Sequence, residues 1–512
     1  MMIIMEFKTD YIMERNLIFG GLHEEKDPRI GLKYFGPYKH ESETKPLDKI
    51  GLGIIGDKST LEKTKTILSM IKEPIVSAGA NKWLYPDFPG ISKDTKFGCD
   101  IDISGTWQDT ILQSEIDSIL KITNTNERIG AAVELYLTKI RNIASEDNPP
   151  SAILCCLPKE IEEHCGISRF TRGAKTQKPT ELEREIAGWK NKQKFLSDWG
   201  AAISGKLTEK PKGYDFRNAL KGKNMSIKPA IPIQILREST IDAVLNYNKD
   251  KGGMKQEPAS FAWNFSTALF YKANGKPWRL AKLRDDTCYV GISFYRDKLA
   301  FNIDIQTSMA QVFTHDGQGL VLRGSEVYVD TVTKEPHLSE KQAEALLKEA
   351  IEKYTEKAHR APARVVIHKS TLFSDDEIKG LNTAIGTVKR DFVTISKRKG
   401  IRFMRMGSYP VLRGTLVHLT DEEHILFTSG YTPRIRTYPG HSIPQPLLIT
   451  HAGDSEVSEI CDEIIGLTKL NWNTTAFSTY LPITLEFSEK VGEILSEASK
   501  DIPLQPHYRF YM

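Results

Sequence analysis

Six cysteines in 512 residues, none of them in a CxxC pair, offer neither a disulfide framework nor a zinc-ligand spacing. The tightest group is Cys155, Cys156, His164 and Cys165. It starts inside the apolar run SAILCCLP, where buried strand thiols are the plainer reading. No apolar run approaches the ~18 residues of a membrane span. The opening MMIIMEFKTD turns charged too early for a secretory signal. The expectation is a cytoplasmic chain with reduced thiols and no membrane contact. Internal repeats and low-complexity tracts are also missing. What remains is ordinary: 40% hydrophobic and 27% charged residues, as in soluble globular proteins. At ~100–200 residues per domain, two or more domains are expected.

Net charge is only +4, but it is unevenly spread. Between Arg169 and Lys228 there are 15 Lys/Arg against 6 Asp/Glu, which leaves the rest of the chain net negative. Such asymmetry suits either a polyanion partner or a solvated helical face. Two nucleotide motifs are approached and missed. Gly51, Gly53 and Gly56 in GLGIIG match GxGxxG, but they lie within the apolar run instead of after a strand. GLGIIGDKS comes near a phosphate loop, yet Asp57 separates Gly56 from Lys58 and spoils the spacing of the cradle. Glycines in and around a strand account for both.

Up to about residue 270, strand and helix patterns alternate. KIGLGIIG, SAILCCLP and IPIQILREST read as strands, STLEKTKTILSMI and AAVELYLTKI as helices. This predicts an α/β domain with a partly parallel sheet. Residues 17–38, rich in Gly, Pro and aromatics, read as an irregular lead-in. The second half changes grammar. CYVGISFYRD, LAFNIDIQTSMAQVFTHDG and LVLRGSEVYVDT suggest an antiparallel meander. Capping boxes at Ser339/Gln342 and Ser374/Glu377 open two helices, and each helix is followed by a strand, RVVIHKS and then FVTISK. Three antiparallel strands, then helix–strand–helix–strand, is the element order of an RNase H-like fold.

Nucleases of that fold hold two metal ions on carboxylates from set strand positions. Here the carboxylates are lacking. The first meander strand, YVGISFY, has Ser293 at the candidate position. The strand after the first helix ends VVIHKST, with His368, Lys369, Ser370 and Thr371 and no acid. Asp304 and Glu326 are acids nearby in sequence, and outward-facing strand positions explain them equally well.

These residues resemble the Argonaute family, specifically its short prokaryotic members, over nearly the whole chain. ALFYKANGKPWRL (Ala268–Leu280) looks like the family's entry into the PIWI domain, and CYVGISFY like the first PIWI strand, where active members carry Asp in place of Ser293. Ser370 in VVIHKST stands at the next acidic position, and the last falls near Ser488 or Glu489. LTKLNWN and LPITLEFSEKVGEIL resemble the closing helices, and no stretch resembles an N or PAZ domain. The resemblance implies a lead-in over residues 1–45, a Rossmann-like MID domain over 46–270 and an RNase H-like PIWI domain over 271–512. It also implies a 5′-phosphate pocket for a guide RNA built from Arg217, Lys221, Gln234 and Lys272. A Mg²⁺ would be shared between the phosphate and a carboxylate at Met512. Many members carry Tyr or His where Arg217 stands.

The residues support the pocket independently in one respect. Arg217 and Lys221 are spaced i, i+4 and share one helix face, and cations with an amide can hold a terminal phosphate by charge-assisted hydrogen bonds. Lys389, Arg390, Lys397, Arg398, Lys399, Arg402 and Arg405 could line a channel for guide and target backbones. For short members without the acids, the resemblance implies no cutting of the complementary single-stranded DNA target. It implies instead a partner bearing an APAZ region fused to a TIR, Sir2 or nuclease domain, NAD⁺ degradation by the TIR and Sir2 types, and assembly beyond one heterodimer on activation. The rival expectation is a guide-directed nuclease using Asp304, Glu326 or Glu489. A third is a nucleic-acid-binding protein without a guide.

Overall fold

A computed structural model describes residues 7–39, 47–166, 215–247, 257–284, 286–296, 306–313, 319–330, 335–398, 400–440, 442–497 and 502–512. Most of the basic stretch from Arg169, together with Asp304 and Lys399, lies outside them.

The first half is built on a five-stranded sheet. Strands β1 (Lys49–Gly56), β2 (Ala152–Leu157) and β3 (Ile233–Arg237) run parallel in that order. Every residue of β2 is buried, as expected of a strand covered on both faces. Its side chains alternate between two cores. Ile153, Cys155 and Leu157 pack with helix α2 (Thr125–Ala144), while Leu154 and Cys156 pack with α1 (Lys58–Met70). Asp57, which broke the phosphate-loop spacing, caps α1 by accepting from the backbone N–H of Ser59 and Thr60. The glycines of GLGIIG lie inside β1, and all six cysteines are free and buried. Helix α3 (Phe216–Asn224) precedes β3, α4 (Glu238–Leu245) follows it, and α5 (Pro258–Lys272) leads into the second half.

The second half is a ten-stranded sheet. Its heart is an antiparallel meander of β4 (Thr287–Arg296), β5 (Gln306–Phe313) and β6 (Gly319–Val329). Helix α6 (Glu340–Ala358) and strand β7 (Arg364–Lys369) follow, then α7 (Asp375–Ile385) and β8 (Lys389–Lys397). β7 lies parallel to β4, and β8 parallel to β7. This is the RNase H-like order, and both predicted capping boxes form. Three strands extend the sheet: β9 (Thr415–His418), β10 (Glu423–Leu426) and β11 (Leu447–Gly453). Helices α8 (Val457–Leu467) and α9 (Ile483–Leu495) close it.

Two expectations are corrected. The lead-in is not irregular throughout: Pro28–Phe35 is a helix, capped by Asp27 and ended by Gly36 at φ 74°. The Asp-Pro start and Gly stop are local helix signals. Thr9–Tyr11 pairs antiparallel with β9, and Leu17–Ile18 with Arg279–Leu280, so the lead-in is stitched to the second half. LTKLNWN is not a closing helix: α8 ends at Leu467, and the rest forms the turn after it.

Candidate nucleic-acid interface

Helix α3 is capped by Asp215, whose carboxylate accepts from the N–H of Asn218 at 3.1 Å. Arg217 and Lys221 follow one turn apart, and Lys221 is 3% exposed. Its Nζ donates to the main-chain oxygens of Tyr511, at 3.3 Å, and of Met512. Lys272, the last residue of α5 and 1% exposed, donates to the same Met512 oxygen at 3.0 Å. Two lysines far apart in sequence therefore converge on one oxygen at the buried end of the 508–512 segment. No Asp or Glu side chain bonds to either lysine among the described residues. Burial, and then the charges of Arg217, Lys272 and Lys490, hold Lys221 well below the ordinary lysine range. Burial and Arg217 bring Lys272 down to about 7. Arg217 is lowered by burial and supported in the opposite sense by Asp215 and Glu493. The cluster is a concentration of desolvated positive charge that an anion would relieve.

Gln234 sits on β3 with Oε1 buried and without a hydrogen-bond partner. No hydrogen bond joins it to the lysines among the described residues. The sequence reading missed Lys490, whose charge reaches Lys221 from α9. It is paired with Glu486 at 3.0 Å, and that i, i+4 spacing was the available signal.

A second site lies at the carboxyl ends of the central strands. Ser293 on β4, Ser370 just after β7, and Ser488 and Glu489 on α9 line one cavity of about 330 Å³. Thr371, Ser396 and Lys397 share it. The close approach of α9 to β4 requires glycine at 291, where a Cβ would sit 2.2 Å from the Thr484 oxygen. Among the described residues Glu489 is the one carboxylate on the cavity wall, and it pairs with Lys397 at 2.8 Å. Ser488 Oγ donates back to the Leu485 carbonyl at 2.6 Å. The polar residues of VVIHKST divide. His368 is buried, with Nδ1 2.8 Å from Thr484 Oγ1, and burial drives it down to about 3, so it is neutral. Lys369 turns away to bond Glu377 at 2.6 and 2.7 Å. Only Ser370 and Thr371 reach the cavity. Glu326 lies on β6 opposite Thr307.

Among the described residues, no group of three or more His, Cys, Asp or Glu could hold a metal ion, and no helix is long and apolar enough to cross a membrane.

The chain matches no protein-family model and no curated protein. Solved structures do match. Drosophila Piwi aligns with 98% of this chain at TM-score 0.59 and 11% identity. Clostridium butyricum Argonaute bound to a guide DNA and a 19-mer target DNA aligns with 97% at TM-score 0.57 and 16% identity. Marinitoga piezophila Argonaute in complex with a 5′-OH guide RNA aligns with 99% at TM-score 0.54 and 13% identity. The chain spans 56%, 54% and 60% of those proteins, respectively. It has the MID–PIWI fold of Argonaute and Piwi proteins, a Rossmann-like unit followed by an RNase H-like one.

Proposed function

We propose that this chain is a short Argonaute that holds a guide RNA by its 5′-phosphate and pairs it with complementary single-stranded DNA. The observation that carries the reading is the pair of buried lysines, Lys221 and Lys272, bonded among the described residues only to main-chain oxygens beside Arg217. A phosphate dianion would supply the missing countercharge. Mg²⁺ takes oxygen ligands and commonly shares them with a phosphate. The orphaned Gln234 Oε1 and the Met512 oxygen fit that role and would hold the ion, which would further neutralise the phosphate.

Target recognition without cutting is the second part of the proposal. The cavity offers serines at 293, 370 and 488, and its carboxylate, Glu489, is engaged by Lys397. Two-metal hydrolysis needs several carboxylates in one place. The output then falls to a partner with an APAZ region, of TIR or Sir2 type in preference to nuclease, degrading NAD⁺ in defence against plasmids or phage. The alternative, a guide-directed nuclease, rests on Glu489 being at the cavity. It requires Mg²⁺- or Mn²⁺-dependent cutting at a fixed distance from the guide 5′ end.

The test is to co-express the chain with its neighbouring gene and end-label the nucleic acid that copurifies. Short RNAs of narrow length with 5′-phosphates are expected. Strands of random length, or equal affinity for 5′-phosphate and 5′-hydroxyl guides, would overturn the pocket. Metal-dependent cutting of a complementary target would overturn the second part.

A further inference from the structure

Strand β8 ends on the cavity wall with Ile395, Ser396 and Lys397, and the chain then leaves the sheet in a long loop before β9. Residues 392–420 contain no Asp or Glu and six Lys or Arg. The loop is anchored at both ends. Ile401 and Phe403 pack against Val411, Val417, Ile425 and Phe427, with the Phe403 and Phe427 rings 5.3 Å apart and edge-on. Tyr409 stacks on Tyr431 at 4.3 Å. Between these anchors, Met404 and Met406 are 90% and 97% exposed, more than any other large hydrophobic residue among those described. Arg398, Arg402 and Arg405 are exposed beside them. Ile401 and Phe403 turn toward the core, and residues 404–406 that follow are all exposed.

An exposed methionine pair on a segment of six cations and no acid offers a polyanion both charge and an apolar contact. Arginines that grip a backbone beside apolar side chains that enter a base stack form a recognised division of labour on nucleic acid. We infer that Met404 and Met406 are an apolar wedge that enters the guide–target duplex where it leaves the cavity, with Arg398, Arg402 and Arg405 holding its phosphates. The inference rests on the guide-binding reading above. It adds a contact to the bases that is independent of sequence.

The test uses the whole chain with its copurified partner, loaded with a 5′-phosphorylated guide, and measures target affinity across a salt series. M404S/M406S is expected to weaken target binding by about tenfold, with guide binding and the salt slope unchanged. M404L/M406L should retain affinity. R402Q/R405Q should lower the salt slope by roughly two. Unchanged target affinity in M404S/M406S would overturn the wedge, whether or not a protein subunit is lost at the same time; such a loss would assign the face to protein docking. Because guide affinity is measured separately, a wild-type chain that does not distinguish 5′-phosphate from 5′-hydroxyl guides would sink the underlying reading instead.

Discussion

Two buried polar regions of this chain treat charge in opposite ways. In the core of the second half, Arg364 and Lys369 are balanced from within by buried acids among the described residues. Arg364, fully buried, bonds Asp391 at 2.8 Å and Glu463 at 2.6 Å, and Tyr289 and His451 complete the set. Lys369 is paired with Glu377. At the junction of α3, α5 and the 508–512 segment, by contrast, Lys221 and Lys272 bond main-chain oxygens and no Asp or Glu side chain among the described residues. Internal balance marks a region that serves the fold. On the guide-binding reading proposed above, imbalance marks the region that waits for a ligand, because buried lysines without a countercharge hold their protons poorly until an anion arrives.

The contrast can be broken most forcefully at Arg364. Arg364→Met leaves Asp391 and Glu463 buried without a cation and should cost about 3–5 kcal/mol, read as a drop in the denaturant midpoint. Stability within 1 kcal/mol of wild type would show the network to be dispensable. Next come Lys221→Met and Lys272→Met. Each should weaken binding of a 5′-phosphorylated guide by ~1.5–3 kcal/mol. A 5′-hydroxyl guide should be unaffected, and the empty protein should melt no lower than wild type. A fall in melting temperature like that of the Arg364 variant would place the lysines on the structural side.

The pH dependence sharpens the same point. In the empty pocket Lys272 lies near 7 because burial and Arg217 disfavour its charge. A bound phosphate favours the charged form and raises it. Binding therefore takes up a proton above pH 7, and affinity should fall from pH 7 to 9 by up to about tenfold per unit. Calorimetry in buffers of different ionisation enthalpy would count that proton. Uptake that persists in Lys272→Met would point to another group. The smallest effect is expected at Lys397. Its pair with Glu489 is exposed, so Lys397→Ala should change stability by less than about 1 kcal/mol.

Much of this was legible in the sequence wherever the signal was local. Alternating strand and helix patterns, and capping boxes at Ser339 and Ser374, were enough for the element order of the second half. Helix Pro28–Phe35 was legible too, but its Asp-Pro start and Gly stop were obscured by the aromatics around them. The rest had no local signature. Tyr11 pairs with Thr415, and Met512 meets Lys221 across 291 residues. Short strands such as β9 and β10, of four residues each, fall below the length at which periodicity can be counted. That Ser293, Ser370 and Glu489 share a cavity depended on the register of β4 against β7 and on the approach of α9 at Gly291. That Lys369 turns away from it depended on Glu377, eight residues later.

The meeting of Lys221, Lys272 and Met512 at one oxygen has a consequence for biosynthesis. At roughly 5–20 residues per second, a ribosome that has finished Lys272 needs on the order of tens of seconds more to reach residue 512. Throughout that interval the nascent chain carries its cations without the segment that gathers them. On the guide-binding reading proposed above, the pocket would form only once residues 508–512 have been made and have folded back onto Lys221 and Lys272.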